Sequence, residues 1–379
     1  MSIASQLKEP APDNMSSFAN SLDITQKIIR QQLHPIVRDI DEKAFYPKQV
    51  MKSFGEAGVF KQHLKSQNPT GKAELFDAIT LMDAVSSECL STGFMVWCQN
   101  VCGWYIQNSE NSYLHENLLA KVATAEYLGG TGLSNPMKHF SEIEKLLLRC
   151  EVSSEGYVLN GTLPWVSNLG ADHYFGIVCE IEKPVSRKAM ILVPCESEGL
   201  TLKEVPSFMA MDGTATYSCR FDNVVIPESY VLADPIGPYL KKIRPGFVLM
   251  QAGMATGLVR GCIRLMRDVE QQLGHVNQYL DDGPDQMEEE LDELIAEVKT
   301  LTETPFDESN EFFQSVLEAR LCGSDLALRA SQSALLHQGA RGYLMSSPAQ
   351  RRVREAYFVA MVTPAIKHLR KEIDRLASA

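Results

Sequence analysis

Two short hydroxyls stand beside turn-forming residues in the middle of the chain: Ser134, in Gly132-Leu133-Ser134-Asn135-Pro136, and Ser167, in Trp165-Val166-Ser167-Asn168. At such places a side-chain oxygen and backbone N–H groups can face one ligand together, and Trp165 adds a flat aromatic wall. Singly, each also suits an ordinary turn serine or a sheet-core tryptophan. Further on, Gly339-Ala340-Arg341-Gly342-Tyr343 is a loop in which glycine lets backbone approach a phosphate or a neighbouring chain. His139 and His337 flank these strings, and each reads as a base or donor near a ring or as a satisfied structural histidine. Cys98 and Cys102, one helical turn apart, could hold a metal only with a facing histidine, and packing thiols beside Trp97 and Trp104 are the simpler reading. No metal site is expected.

The elements that must position these residues fall into three regimes. Ile24, Ile28, Ile29 and Leu33 recur at helical spacing, Pro47 opens a second helix, and Leu75 to Ile106 is a long apolar segment with small residues. From Leu128 to Asp234 the runs turn β-branched and aromatic, with Gly, Pro, Asn and Ser turns at hairpin spacing, as in GYVLNGTLPWV, YFGIVCEI and KAMILVP. After Pro245 the helical period returns over 246–274, 287–302, 309–338 and 347–377. The expected fold is α+β: a disordered N-terminus at 1–20, an N-terminal helical domain at 21–126, a central antiparallel β-barrel or sheet domain at 127–235, and a C-terminal four-helix bundle at 236–379.

With 379 residues, 45% hydrophobic and 22% charged, the chain can bury a large core. Its 36 basic and 48 acidic residues give a net charge of −12, a field that repels a phosphate backbone, so no nucleic-acid partner is expected. Much of the acid sits in the insertion 281–298, DDGPDQMEEELDELIAEV, which reads as a solvated helix entrance. Nine scattered cysteines without a CxxC argue for a reducing compartment. No secretory leader and no uninterrupted apolar run of membrane-spanning length are seen, so a cytoplasmic protein without a membrane partner is expected.

Four strings, in order, resemble those of the acyl-CoA dehydrogenase superfamily of flavoproteins. Gly132-Leu133-Ser134-Asn135-Pro136 matches that family's A-L-T-E-P; Gly161-Thr162-Leu163-Pro164-Trp165-Val166-Ser167-Asn168 matches G-x-K-x-W-I-T-N, with Ala171-Asp172 following. Phe221 to Leu232 matches F-x-x-V-x-V-P-x-x-x-V-L. Gly339 to Tyr343 followed by Arg354-Glu355-Ala356 matches G-G-x-G-Y and R-D-A. The resemblance runs from about residue 24 to the end. It implies an FAD cofactor, with FMN as the alternative, whose ring is lined by Leu133, Ser134, Trp165 and Ser167. It also implies that Gly339 and Gly342 meet the flavin of an adjacent subunit in a homodimer or homotetramer.

The departures are as informative as the matches. Family dehydrogenases remove an α-proton from an acyl thioester with a glutamate, because so weak a carbon acid needs a positioned base. Nine residues beyond Arg354 that position is Thr363, and the alternative position near the start of the C-terminal domain is Phe247, so the catalytic residue is left unassigned. Asn135 replaces the family's glutamate, Lys138-His139-Phe140-Ser141 replaces its small A-G-S-D, and its R-x-x-F-G string is missing after Met266-Arg267-Asp268. Leu336 stands for the usual glutamine and Ala340 for the second glycine. Three functions remain open: a flavin-dependent oxidoreductase acting on an acyl thioester, with an electron acceptor; a monooxygenase fed reduced flavin by a partner reductase; and an inactive binding subunit.

Overall fold

The computed structural model describes residues 17–68 and 74–378. Part of the segment expected to be disordered, residues 1–16, lies outside the described residues, and Ser17 already opens helix α1 (Ser17–Ile28). There follow α2 (Val37–Glu42), α3 (Lys48–Glu56), α4 (Leu75–Glu88), α5 (Leu90–Asn108) and the short α6 (Ser112–Leu114) and α7 (Ala120–Ala123). In α5, 18 of 19 residues are buried, so it is the helix around which the others pack.

The central region carries β1 (Leu128–Thr131), then helix α8 (Ser134–Phe140), then β2 (Leu148–Ser153), β3 (Gly156–Val166), β4 (His173–Ile181), β5 (Arg187–Pro194), β6 (Leu200–Glu204), β7 (Tyr217–Ile226) and β8 (Val231–Ala233). They form one open sheet in the order β6-β7-β3-β2-β4-β5-β8, with β1 beside β4. The expectation of a wholly antiparallel sheet or barrel is therefore corrected. The hairpin pairs are antiparallel, but β1 and β2 both run parallel to β4, along its first and last parts, and the sheet does not close. Each parallel pair is joined by a long connection rather than a tight turn, as parallel strands require.

The C-terminal helices are α9 (Gly237–Leu249), α10 (Ala252–Arg267), α11 (Glu270–Asn277), α12 (Pro284–Leu301), α13 (Asn310–Gln338), α14 (Pro348–Met361) and α15 (Ile366–Ala377). Pro245 lies inside α9 rather than before the helices, and the expected run 347–377 breaks at Val362–Ala365, where Pro364 cannot donate a helical hydrogen bond. The apolar stretch Gly237–Arg267 is long enough to cross a membrane, but 94% of its most apolar window is buried inside the protein. Close packing of α10 on α4 explains that burial. A Cβ on Gly253 would stand 2.7 Å from the Ile79 carbonyl oxygen, and one on Gly261 2.6 Å from that of Ser87, so only glycine admits the contact.

At the joint between α4 and α5, α14 supplies the missing helix-end partners. Arg352 donates to the Ser86 carbonyl at 3.1 Å and to that of Ser87, Arg351 donates to that of Glu88 at 3.2 Å, and Glu355 accepts from the Leu90 N–H at 3.2 Å. Cations thus meet the C-terminus of α4 and a carboxylate the N-terminus of α5, the favourable sense for both helix dipoles. This clamp fixes α14, and with it the turn that carries Thr363.

Candidate functional site

Trp165 faces outward because β3 is irregular there. The β3–β7 register shifts between Leu163 and Val166, and Trp165 takes φ +56, a left-handed backbone unusual for a bulky residue. Its side chain is 61% exposed, edge-on to Phe208 at 6.2 Å, with Met209 also exposed. An open aromatic and apolar face of this kind suits a flat heterocycle. Next to it, Ser134, Asn135 and Lys138 of α8 join Leu163, Trp165 and Glu144 around one cleft. Ser134 is exposed at the first position of α8, where helix N–H groups are unpaired. Leu133 precedes it and is buried.

The same serine meets the turn between α14 and α15. Ser134 Oγ lies 2.8 Å from Thr363 Oγ1, joining two strings that are 229 residues apart. The Thr363 carbonyl accepts from Gln251 Nε2 at 2.9 Å, and Gln251 Oε1 accepts from Arg320 Nε at 2.7 Å. Arg320 also donates to the Val359 carbonyl at 2.6 Å and to Ser324 Oγ. It is 2% exposed and has no carboxylate partner among the described residues, and burial pulls its guanidinium down to about 10. A buried cation thus holds the end of α14 directly and the Thr363 backbone through Gln251.

Phe247, at the second expected position of a base, is closed off. It is 3% exposed, edge-on to Trp97 at 5.0 Å and parallel to Tyr105 at 6.4 Å. Phe94 extends this layer, stacked on Trp97 at 5.6 Å and edge-on to Phe358 at 4.6 Å. Gly246, beside it, abuts the Trp104 ring. Aromatic side chains fill the space between α5 and α9 in which an acid would have to stand.

The remaining sequence-predicted residues are placed as follows. Ser167 is next to the cleft, but its hydroxyl is buried and 2.6 Å from Thr216 Oγ1, which in turn lies 2.8 Å from Thr214 Oγ1. Asn168 accepts from Tyr46 OH at 2.7 Å and donates to the Gly129 carbonyl at 2.7 Å, so this string ties the sheet to the first helices. Gly339 and Gly342 lie beyond α13, near Gln338 and Leu335 rather than in the cleft. His139 contacts the Glu144 carbonyl at 3.3 Å, and His337 is buried 2.9 Å from the Ser333 carbonyl in its own helix, a structural role. Cys98 and Cys102 are buried thiols, that of Cys102 pushed up to about 12 by burial, and no metal-holding cluster occurs among the described residues. Arg267, at the head of the missing R-x-x-F-G string, is bound by the acidic insertion, at 3.1 Å from Asp285 and against Glu288.

Sequence reasoning missed Gln251, Arg320 and Glu144. Arg320 left a signal: it interrupts the apolar stripe Phe313, Val316, Leu317, Leu326 and Ala327 of α13, which marks a cation turned into the core.

Residues 21–126 match the family model described as the N-terminal domain of acyl-CoA dehydrogenase. A probable acyl-CoA dehydrogenase YngJ from Bacillus subtilis is 20% identical over 350 residues, covering 88% of this chain and 90% of that protein. The mitochondrial isobutyryl-CoA dehydrogenase of Bos taurus is 20% identical over 335 residues, covering 86% and 80%. Among solved structures, butyryl-CoA dehydrogenase from Megasphaera elsdenii superposes with a TM-score of 0.84 at 15% identity, over 98% of this chain and 100% of that one. A glutaryl-coenzyme A dehydrogenase in complex with glutaryl-CoA gives 0.78 at 16% identity, over 97% and 98%. The resemblance is borne out in the match of residues 21–126 to that family model and in the fold, which over nearly the whole chain is that of the solved acyl-CoA dehydrogenases.

Proposed function

We propose that the protein is a flavin-dependent oxidoreductase acting on an acyl thioester, its ring site the face formed by Trp165 and Ser134. The observation that carries this reading is the meeting of that open face with the Thr363 turn in a chain of this fold. The residues present fit FAD, or FMN in its place: Trp165 with Phe208 and Met209 offers an apolar wall, and Ser134 an exposed hydroxyl at a helix start. When bound, the flavin supplies a two-electron acceptor for hydride. Trp165 excludes water from one side of the cleft, and Ser134 orients a polar edge. Thr363 cannot serve as a base at neutral pH. Of the residues that line the cleft, Glu144 is the one carboxylate, held by Asn135 Nδ2, which donates to it at 2.8 Å, and by Lys138 at 3.6 Å, and it is the group positioned to act as the base.

The test is anaerobic bleaching of the FAD-loaded protein by short-chain acyl-CoA. The expected result is bleaching that Glu144→Gln abolishes and Thr363→Val leaves intact. Protein that takes up no FAD overturns the reading and favours an inactive binding subunit. A second reading, a monooxygenase that activates molecular oxygen with reduced flavin supplied by a partner reductase, is favoured by Thr363 and Phe247 at both base positions, since it needs no base. It predicts no bleaching but oxygen-dependent turnover once a reductase is added.

Two further parts of the proposal concern the setting. Leu336, at the end of α13, and Tyr343, Leu344 and Met345, at the end of the Gly339 loop and just after it, are exposed, which supports coverage by a second copy in a dimer or tetramer. Nine free thiols, eight of them buried, support a reducing cytoplasmic location.

A further inference from the structure

Helix α8 separates two hollows. It lines the Trp165 cleft with Ser134 and Lys138, and with Met137 and Phe140 it lines a recess under the α14–α15 turn. The apolar part of that recess is made by Phe140, Leu240 of α9 and Phe313 of α13. Its polar part is made by Arg244 of α9 and by His368, Glu372 and Arg375 of α15.

The polar side chains are incompletely satisfied. His368 is 4% exposed; Nε2 lies 2.7 Å from Ser141 Oγ, and Nδ1 has no hydrogen-bond partner among the described residues. Arg244 lays its guanidinium 4.0 Å over the Phe313 ring, and its buried Nε is likewise unpartnered. Glu372 is buried and accepts from Arg375 at 2.9 Å. Burial, and after it the nearby Arg375 cation, lower the Arg244 pKa against the opposing pull of Glu372 and Glu308, so the guanidinium is incompletely compensated. Two nitrogen atoms without partners, its own Nε and His368 Nδ1, stand above an apolar floor. A buried N–H without an acceptor is costly, and a charged donor is the costlier kind.

We propose that this recess binds a short-chain monocarboxylate. Its carboxylate sits between Arg244 Nε–H and His368 Nδ1–H, and its alkyl chain lies on Phe140, Leu240 and Phe313. Ser141 Oγ–H donates to Nε2 and thereby fixes the proton on Nδ1. A single carboxylate supplies an acceptor to both unpartnered nitrogen atoms and a negative charge to the incompletely compensated guanidinium. Glu372 in the wall repels a dianion, an amine meets two guanidinium groups, and the aromatic floor favours an alkyl chain over a hydrated inorganic ion. The site does not rest on the flavin reading, since none of these residues lines the Trp165 cleft.

Calorimetric titration of the full chain, without added flavin, with sodium butyrate, butylammonium chloride and inorganic phosphate tests this. Butyrate is expected to saturate at one per chain, with the other two at least about tenfold weaker, and Arg244→Gln to weaken butyrate by about tenfold or more. Should Arg244→Gln not fold, as judged by circular dichroism, His368→Phe carries the same expectation. The proposal is overturned if butyrate binds no better than butylammonium or phosphate, or if a folded variant at either position binds it unchanged. It is equally overturned if butyryl-CoA saturates the site while free butyrate does not.

Discussion

Thr363 and Phe247, the two positions at which the sequence resemblance looks for a base, are opposite kinds of environment. Thr363 sits on a partly exposed turn whose hydroxyl touches Ser134 and whose carbonyl is held through Gln251 by Arg320. Phe247 lies in a dry aromatic layer between α5 and α9. A position without an acid can stand in a polar, supported turn or inside the core: Thr363 is the first kind and Phe247 the second.

The sharpest way to break this contrast is to return a glutamate to each position. Phe247→Glu puts a carboxylate among rings with no cation beside it and is expected to cost about 4–5 kcal/mol, read as loss of a cooperative thermal transition or a large fall in its midpoint. Acid titration probes the same buried side. His63 is fully buried, 6.2 Å from the Trp104 ring, and burial holds it down at about 4. Because its folded pKa lies below the unfolded one, its contribution is present above pH 6.5 and is lost as the pH falls towards 4, by up to about 3 kcal/mol. His63→Gln should flatten the denaturant-measured stability profile over that window; an unchanged slope refutes the assignment. Arg320→Met leaves Gln251 Oε1 and the Val359 carbonyl unmet but removes the cost of an unpaired buried cation, and about 2 kcal/mol of net loss is expected in urea unfolding. Smallest is Thr363→Glu, expected to stay within about 1 kcal/mol because the turn is polar and partly open. If the flavin reading holds, this variant bleaches faster with acyl-CoA than the parent, and a destabilisation as large as that of Phe247→Glu would erase the contrast.

The order of helices, strands and helices was legible because hydrophobic period changes from 3.6 to 2 and back, whereas of the cleft only Ser134 and Trp165, at the start of α8 and the end of β3, were singled out as site residues, and Glu144 was not. Trp165 is outward for a reason the sequence only hinted at, the proline before it and the bulge that follows. The pairing of β1 and β2 with β4 was not legible, since hairpin spacing reports neighbours in sequence and these parallel pairs are not neighbours. Pro245 misled as a boundary because its missing N–H is tolerated inside α9. Gln251, Arg320, Arg244 and His368 could be assigned only once tertiary packing brought α9, α10, α13 and α15 together.

The Ser134–Thr363 contact has a consequence in time. The two residues are 229 positions apart, so at synthesis rates of roughly 5–20 residues per second the first emerges roughly 10–50 s before the second. For that interval the face of α8 destined for the α14–α15 turn waits uncovered, together with the recess side that Phe140 presents. The site is therefore among the last parts of the molecule to be assembled, and a nascent chain stalled before α15 carries the fold of its sheet without the place where its chemistry would occur.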